Sequence, residues 1–195
     1  MLAFAGVKPG DKVGEIMPGG GYYTRLLAKI VGPNGKLYAI MPPARPGGPP
    51  GGGADALKAI GPQVTVINSP NLAPTAEITD KLDLVWTSEN YHDFHNGPTA
   101  DIAAFNKAVF NALKPGGVFL IEDHAAANDA PPTVTSELHR INPNQVISEL
   151  TAAGFRLEAR SDIMRNPADD HTKRNADPTI RGETDKLLMK FRKPG

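Results

Sequence analysis

The chain alternates between short runs of apolar residues and longer segments in which apolar residues recur at helical spacing. The short runs predict seven strands, at 12–17, 36–41, 63–68, 82–87, 118–122, 155–163 and 186–192. Apolar positions three or four residues apart predict helices at 21–31, 54–60, 98–113 and 143–153. Because strands alternate with helices, we expect one α/β domain, residues 1–195, built on a doubly wound and mostly parallel sheet.

Two of the predicted helices begin with residues suited to a helix start. Pro98 fits the first turn of its helix, since proline lacks an N–H that would otherwise be unpaired there. Asn142 is a predicted N-cap with Pro143 at the first helical position, and Gly154 ends that helix.

The connections differ in length at the two edges of the predicted sheet. Turns that lead from a helix into a strand are short, whereas segments that follow the carboxyl ends of strands are long. The long segments are 42–53, 125–141 and 164–184, and the first is almost entirely proline and glycine, which predicts a loop. Because ligands of such sheets bind at the carboxyl edge of the strands, we expect the functional site there.

Composition excludes several classes of protein and of site. Lys and Arg together number 21, as do Asp and Glu, which argues against a general nucleic-acid-binding protein. The absence of cysteine excludes disulfides, thiolate metal ligands and a cysteine nucleophile. No stretch approaches the roughly 18 apolar residues of a membrane span, and the first residues lack the features of a signal peptide. We therefore expect a cytoplasmic protein without a membrane partner, or an exported one if a signal sequence precedes the first residue.

A glycine-rich turn follows the first predicted strand. Gly19, Gly20 and Gly21 stand between that strand and a helix that begins at Tyr22. Glycine permits positive φ and the close approach of a ligand, and a helix N-terminus attracts negative charge. Glu15 lies inside the strand, where an acid is unusual without a partner. The turn is thus a candidate ligand site, and its alternative role is a structural connection without a ligand.

The five histidines all lie at or after the carboxyl end of a predicted strand, at His92, His95, His124, His139 and His171. Three of them have an acidic neighbour in the sequence, namely Asp93, Asp123 and Asp170. A histidine held by a carboxylate is a competent general base near neutral pH. His92 and His124 are the strongest candidates because they follow strands directly.

The same histidines could bind Zn²⁺, Fe²⁺ or Mn²⁺ together with a carboxylate. No His-x-x-x-His spacing on a helix supports such a site, so the sequence assigns no metal ligand and a divalent metal stays an alternative. For any single histidine, a solvated loop position is the other interpretation.

Several segments carry a resemblance to a known family. They are Met-Pro-Gly-Gly-Gly-Tyr-Tyr-Thr at 17–24, Val-Trp-Thr-Ser-Glu-Asn-Tyr-His-Asp at 85–93, Leu-Lys-Pro-Gly-Gly at 113–117, Asp-His-Ala-Ala-Ala at 123–127, His-Arg at 139–140 and Arg-Asn-Pro-Ala-Asp-Asp-His-Thr-Lys at 165–173. Over nearly its whole length the chain resembles class I S-adenosylmethionine-dependent methyltransferases, most closely small bacterial proteins described as predicted methyltransferases. The resemblance implies a Rossmann-like, seven-stranded sheet, mostly parallel with the last strand antiparallel, in a three-layer sandwich.

This resemblance implies a site for S-adenosyl-L-methionine around the glycine turn. Glu15 takes the place of the family's first-strand acid, which helps hold the amino-acid end of the cofactor. Gly19 and Gly21 match the glycines that pass close to the cofactor. Two positions depart from the family pattern, since Met17 replaces the first glycine of the turn and Met41 ends the second strand where an acid should bind the ribose.

The cofactor site that the resemblance implies has eight members: Glu15, Gly19, Gly20, Gly21, Tyr22, Met41, Ser88 and Asn90. Tyr22 would cover the cofactor. Ser88 and Asn90, just after the fourth strand, would bond the cofactor's carboxylate or the substrate.

The expected function is methyl transfer to a small-molecule acceptor by a monomer or homodimer, without a nucleic-acid partner. His92 or His124 would take the substrate proton while a carboxylate orients the base. The catalytic candidates are His92, Asp93, His124, Asp123, His139 and His171. Two alternatives stay open. One is the same fold performing acid–base or metal-assisted chemistry, as a lyase, isomerase or hydrolase, and the other is a non-catalytic binding module.

Overall fold

A seven-stranded sheet forms the centre of the molecule in the computed structural model, which describes residues 1–44, 53–97 and 100–195. The strands are β1 Lys12–Ile16, β2 Lys36–Met41, β3 Val64–Asn68, β4 Leu82–Ser88, β5 Leu113–His124, β6 Arg156–Arg160 and β7 Lys186–Arg192. Their order across the sheet is β3-β2-β1-β4-β5-β7-β6. β7 is antiparallel to both of its neighbours, whereas the pairs from β3 to β5 are parallel. The predicted Rossmann-like sheet with an antiparallel last strand is therefore confirmed.

Helices cover both faces of this sheet. They are α1 Leu2–Ala5, α2 Tyr22–Val31, α3 Ala54–Lys58, α4 Ile102–Ala112, α5 Val134–Glu137 and α6 Pro143–Ala152, with a 3₁₀ turn at Tyr91–His95. Leu27 of α2 and Leu57 of α3 belong to one apolar cluster, whereas Phe105 of α4 and Leu150 of α6 belong to another. The sheet thus lies between two helical layers, as the three-layer prediction required.

The central strands are apolar on both sides because both faces of the sheet are covered. In β5, Val118 and Leu120 pack with the α2 cluster, whereas Phe119 and Ile121 pack with the α4 cluster. Successive residues of a strand point to opposite faces, so a continuous apolar run is buried along its whole length. This packing holds the carboxyl ends of β1, β4 and β5 side by side at one edge.

Three elements differ from the sequence predictions by more than two residues at one end. β5 was expected over 118–122 but spans Leu113–His124, so residues 114–117, which were expected to form a turn, belong to the strand. The other two are α4 and β6. α4 was expected from residue 98, but the described helix has Asp101 as its N-cap, whose side chain accepts a hydrogen bond of 2.9 Å from the N–H of Ala104. Pro98 lies outside the described residues. The sixth strand was expected over 155–163 but spans only Arg156–Arg160, because it is an edge strand that pairs with β7 alone.

The proline- and glycine-rich segment at 42–53 is described only in part. Residues 42–44 carry no regular structure, as expected, and residues 45–52 lie outside the described part of the chain. The segment 164–184 likewise contains turns without a helix or strand.

The helices of the described ranges are short, and none has the length and apolar character needed to cross a membrane. The sequence did not predict α1, α5 or the 3₁₀ turn, because four or five residues are too few to show helical periodicity.

Arg140 joins the two long segments that follow β5 and β6. Its side chain is fully buried, and its guanidinium donates to the carbonyl oxygens of Ala125 and Lys173, both at 2.8 Å. The same guanidinium pairs with the carboxylate of Asp169 at 2.8 Å, and that carboxylate is buried as well. Each buried charge therefore neutralises the other, and the pair fixes the segment that carries His139.

We expect Arg140→Lys to lower the free energy of unfolding by about 2 kcal/mol, because lysine keeps the charge but cannot reproduce the planar fork of hydrogen bonds. Urea denaturation measures the change. The matched control is Arg181→Lys, since Arg181 is exposed, and it should stay within about 0.5 kcal/mol of the parent. Equal stability of the two variants would contradict this role for Arg140.

Candidate functional site

A cleft of about 430 Å³ opens at the carboxyl edge between the turn after β1 and the end of β4. This volume lies within the range of roughly 300–1,000 Å³ typical of small-molecule sites. Its lining residues are Glu15, Ile16, Met17, Pro18, Gly19, Tyr22, Tyr23, Trp86, Ser88, Glu89 and Asn90. The structure therefore brings both predicted halves of the cofactor site, from the first and fourth strands, into one cavity.

The glycine turn owes its shape to left-handed backbone at three positions. Met17 has φ 51°, Gly19 has φ 54° and Gly21 has φ 78°. Glycine adopts this conformation freely, whereas at Met17 it costs roughly 1–2 kcal/mol. Met17 thus takes a conformation that suits glycine, at the position where the sequence departs from the family pattern.

The three glycines face different surroundings. In the described part of the chain, no atom lies within 4 Å of the position that a Cβ would take at Gly19 or Gly20. A Cβ at Gly21 would instead lie 2.8 Å from Cδ2 of Leu57 in α3. Gly19 and Gly20 therefore border open space where a ligand can approach, whereas Gly21 is needed for packing.

Glu15 is buried at the floor of the cleft, with only 2% of its surface exposed. Its Oε2 atom has no hydrogen-bond partner among the described residues. Burial raises the pKa of Glu15 to about 7, although the hydroxyl and the N–H of Thr24 partly oppose this shift. A buried carboxylate without a cation is suited to receive a positively charged group of a ligand.

This unpaired carboxylate predicts a pH-dependent stability for the ligand-free protein. The folded state holds a proton on Glu15 up to about pH 7, whereas the unfolded state loses it near pH 4.5. Stability should therefore fall as pH rises from about 4.5 to 7, by up to about 3 kcal/mol, and stay level above. Urea unfolding of the parent and of Glu15→Gln across this range measures the difference, which should grow with pH. Parallel curves would contradict the burial of an unpaired Glu15.

The opposite wall of the cleft is formed by the end of β4. Ser88 donates a hydrogen bond of 2.5 Å to Oε2 of Glu122, and Asn90 donates from its side chain to the carbonyl oxygen of Ser88 at 2.5 Å. The same amide reaches the carbonyl oxygen of Met17 at 3.5 Å. These contacts tie the β4 end to the glycine turn across the mouth of the cleft.

Aromatic side chains border the cleft as well. Trp86 is buried, and its indole N–H has no partner within the described ranges. The centroid of the Tyr23 ring lies 4.9 Å from that of Trp86. The ring of Tyr22 packs edge-on against the ring of Tyr23. Tyr22 is 69% exposed and lines the cleft, so its ring lies at the cleft mouth. Three predicted members lie outside this lining, namely Gly20, Gly21 and Met41, and Met41 is buried at the end of β2.

Asp123 organises a cluster of histidines beside the cleft. Its buried carboxylate accepts hydrogen bonds from the backbone N–H groups of His92 and His124, both at 2.7 Å. It also lies 2.8 Å from Nδ1 of the His92 ring. The ring centroids of His124 and His139 lie 5.9 Å and 5.4 Å from that of His92. Three of the predicted histidines are therefore neighbours in space.

Asp93 completes the cluster on its solvent side. One of its oxygens, Oδ1, lies 3.3 Å from Nε2 of His92 and 3.4 Å from Nδ1 of His139. Burial alone would lower the pKa of His92, but the carboxylates of Asp123 and Asp93 outweigh it and raise the pKa to about 10. His92 is therefore protonated at neutral pH in this environment.

His124 has a different environment from His92. Burial lowers the pKa of His124, which keeps its ring neutral at pH 7. Its Nδ1 lies 2.8 Å from the hydroxyl of Thr184, and its Nε2 lies 3.9 Å from a carboxylate oxygen of Glu89, which lines the cleft. When Nδ1 donates to Thr184, Nε2 keeps its lone pair on the side of the cleft.

The remaining histidines lie apart from this cluster. His171 contacts Asp185 at 2.9 Å and lines a separate cavity of about 160 Å³, so the structure does not bring it together with His92. His95 contacts Glu149 at 2.9 Å. Asp170, the sequence neighbour of His171, instead accepts hydrogen bonds from Thr172.

Sequence reasoning missed three residues of the site. Glu122 could have been found, because it is an acid within the apolar run of β5, just as Glu15 is in β1. No sequence pattern marked Glu89 or Thr184. Each contacts His124, which is distant from both in the sequence.

No family model and no curated protein matches the chain in sequence, but solved structures share its fold. A SAM-dependent methyltransferase from Aquifex aeolicus matches with a TM-score of 0.66 and 18% identity, over 98% of this chain and 86% of that one. The 1,6-didemethyltoxoflavin-N1-methyltransferase from Burkholderia thailandensis, with bound 1,6-didemethyltoxoflavin and S-adenosylhomocysteine, matches with a TM-score of 0.66 and 17% identity, over 100% and 75%. The [4+2]-cyclase SpnF matches with a TM-score of 0.69 and 13% identity, over 99% and 78%.

The chain therefore has the fold of the class I S-adenosylmethionine-dependent methyltransferases, which confirms the fold that the resemblance implied. At identities of 13–18% the likeness extends to the fold alone, so the activity has to be argued from the site.

Proposed function

We propose that this protein transfers a methyl group from S-adenosyl-L-methionine to a small-molecule acceptor. The observation that supports this most is Glu15, whose buried carboxylate lies at the floor of the cleft behind the glycine turn, with Oε2 unpartnered among the described residues. The amino group of a methionine moiety is mostly protonated at neutral pH, since an ordinary α-amino group has a pKa of about 7.7–8.0. Such a group would supply the cation that Glu15 lacks in the ligand-free fold.

The other walls of the cleft fit the rest of the cofactor. Gly19 leaves room for close approach, and Tyr22 at the mouth can close over a bound molecule. S-adenosyl-L-methionine supplies an electrophilic methyl group when it is bound. The protein residues would hold it in line with the acceptor, and alignment of this kind accounts for much of the acceleration in group transfer. Because β2 ends in Met41, the ribose contact would come from other residues.

His124 is the base that the geometry favours. Its ring is neutral at pH 7, and Thr184 orients it so that Nε2 can accept a proton from the acceptor. Glu89 lines the cleft with a carboxylate oxygen 3.9 Å from this nitrogen and can stabilise the imidazolium that forms. We therefore assign the proton transfer to His124 and not to His92, which already carries a proton.

Asp123 and His92 act in this proposal as positioning residues. The carboxylate of Asp123 fixes the backbone of both histidines, and the charge of His92 neutralises that carboxylate. The ion pair keeps the end of β5 rigid beside the cleft, which places His124.

A cleft of about 430 Å³ has the size of a small-molecule site, which favours a small acceptor over a macromolecule. A methyltransferase that was solved with a small heterocycle bound shares the fold, and this likeness supports the same class of substrate here. The cytoplasmic location and a monomeric or homodimeric state remain predictions of the sequence.

A second candidate function keeps the fold and omits methyl transfer. Two observations favour it, namely the missing acid at the end of β2 and the histidine cluster beside the cleft. The [4+2]-cyclase SpnF has the same fold, and this likeness supports the view that the fold can host reactions other than methyl transfer.

Calorimetry with S-adenosyl-L-methionine and S-adenosylhomocysteine separates the two candidates. We expect saturable binding of one molecule of each per chain. Incubation with methyl-labelled cofactor and a small-molecule extract should then transfer label to an acceptor. No binding at high micromolar concentrations of either compound would contradict methyl transfer and favour the second candidate.

A further inference from the structure

We propose that His92, Asp93 and His139 form a site for one divalent transition-metal ion. Each residue offers one ligand atom, and the three atoms lie within 4.8 Å of one another. Nε2 of His92 and Nδ1 of His139 are the atoms that face Oδ1 of Asp93. Two imidazoles and one carboxylate are a donor set that Zn²⁺ and Fe²⁺ accept in proteins. The site goes beyond the proposed methyl transfer and does not depend on it.

The spacing of the donor atoms fits a tetrahedral ion. Nitrogen and oxygen ligands bind Zn²⁺ at about 2.0–2.2 Å, so neighbouring ligand atoms at a tetrahedral angle lie about 3.4 Å apart. The two separations from Oδ1 of Asp93 are 3.3 Å to His92 and 3.4 Å to His139. Both separations from Oδ1 therefore match a tetrahedral ion, and the ligand atoms of the two histidines lie within 4.8 Å of each other.

An outer carboxylate orients one of the ligands. Asp123 lies 2.8 Å from Nδ1 of His92, and two backbone N–H groups fix that carboxylate. A metal-binding histidine typically gives its other ring N–H to a carboxylate in this way, which directs the free lone pair at the metal. In the metal-free protein the proton on Nε2 of His92 takes the place of the ion.

The third ligand is held in an unusual backbone conformation. His139 has φ 50°, in the left-handed region that costs a residue other than glycine roughly 1–3 kcal/mol. The Arg140 pair beside it fixes this part of the chain. Strain of this kind persists where the surrounding structure imposes it, often at functional sites.

The site is open on one side. The side chains of Asp93 and His139 are 39% and 30% exposed, whereas His92 is buried, so a fourth position faces solvent. A water molecule or a substrate oxygen would fill it, as in catalytic metal sites with three protein ligands. When Nδ1 of His139 binds the ion, the proton of the neutral ring is on Nε2, which then cannot accept a hydrogen bond from the guanidinium of Arg174. Arg174 therefore has to move away, and its exposed position permits this.

Titration of chelator-treated protein with Zn²⁺ and with Co²⁺ tests the site. We expect one ion per chain by calorimetry and the strong visible absorption of tetrahedral Co²⁺. Loss of a residue that orients a metal ligand typically weakens metal binding by ~10–100-fold, and we expect a Zn²⁺ affinity loss of this size for Asp123→Asn. Asp93→Asn and His139→Ala each remove a ligand and should weaken Zn²⁺ binding by more than this. His171→Ala, in the separate cavity, should bind as the parent does.

Two outcomes would overturn the site. One is the absence of saturable Zn²⁺ binding by the parent, and the other is binding that survives both Asp93→Asn and His139→Ala. Urea unfolding of Asp93→Asn, a partly exposed position, verifies that a loss is not a folding defect. Calorimetry with S-adenosyl-L-methionine on the same variants reports the proposed function separately, and we expect cofactor binding without added metal.

Discussion

Replacing His124 by glutamine should lower the rate of methyl transfer by about 10²–10⁴-fold, the usual contribution of a positioned general base. The physical reason is that His124 is the neutral imidazole of the cluster, with Nε2 on the side of the cleft. Glutamine can still bond to Thr184 but cannot accept a proton at neutral pH. Affinity for S-adenosyl-L-methionine should stay the same, because His124 lies outside the cofactor lining.

Release of S-adenosylhomocysteine, with an acceptor identified by the labelling screen, measures this rate. The matched control is His95→Gln, since His95 contacts Glu149 and lies apart from the cluster. It should keep a rate close to that of the parent. A His124→Gln enzyme with the parent's rate, or an equal loss in both variants, would contradict the assignment of the base.

Replacing Glu15 by glutamine should weaken S-adenosyl-L-methionine binding by about 30- to 5,000-fold, which corresponds to the roughly 2–5 kcal/mol lost when one partner of a buried charge pair is removed. The side chain keeps its shape, so the change removes the charge and little else. The same substitution should stabilise the ligand-free protein above pH 7, because the penalty of a buried unpaired carboxylate disappears. Higher stability together with lower affinity is a combination that a folding defect cannot produce.

Glu77→Gln is the control for this substitution, because Glu77 is exposed and lies outside the cleft. Its affinity for the cofactor should match that of the parent within error. Undiminished affinity in Glu15→Gln would place the amino group of the cofactor elsewhere.

The layout of the sheet was readable from the sequence because its strands are buried on both faces. β4 contains the buried apolar run 84–86 and β5 the buried apolar run 118–121, so the existence of both strands was unambiguous. β6 was harder, because its residues alternate between exposed and half-buried and its edge position ends the pairing early. The 3₁₀ turn at Tyr91–His95 is fixed by tertiary contacts such as the bond from the His92 N–H to Asp123, which no local pattern reveals.

The location of the site and the pairing of Asp93 with His92 could also be predicted, but not the other partners within the site. Sequence neighbours suggested that Asp123 serves His124, whereas its carboxylate lies against the ring of His92. The ring of His124 instead bonds to Thr184, which is 60 positions away. Adjacent residues of a strand point to opposite faces, so the partner of a strand-end residue usually comes from a neighbouring strand.

In the glycine turn, too, the sequence predicted the location of the site but not the role of each residue. Its sequence marked a ligand site, and the cleft lies where it was expected. The departure at Met17 looked like a defect, yet this residue adopts the left-handed conformation of a glycine. Gly21 matched the family's pattern, but its contact with α3 gives it a packing role that only the tertiary structure shows.

The most direct test of the central claim is the number of protons released when the cofactor binds. With a pKa of about 7, Glu15 is about half protonated at pH 7, and pairing with an amine should ionise it fully. Calorimetry of S-adenosyl-L-methionine in buffers of different ionisation enthalpy should show about half a proton more released by the parent than by Glu15→Gln. Equal proton release by the two proteins, or no binding by the parent, would contradict the account.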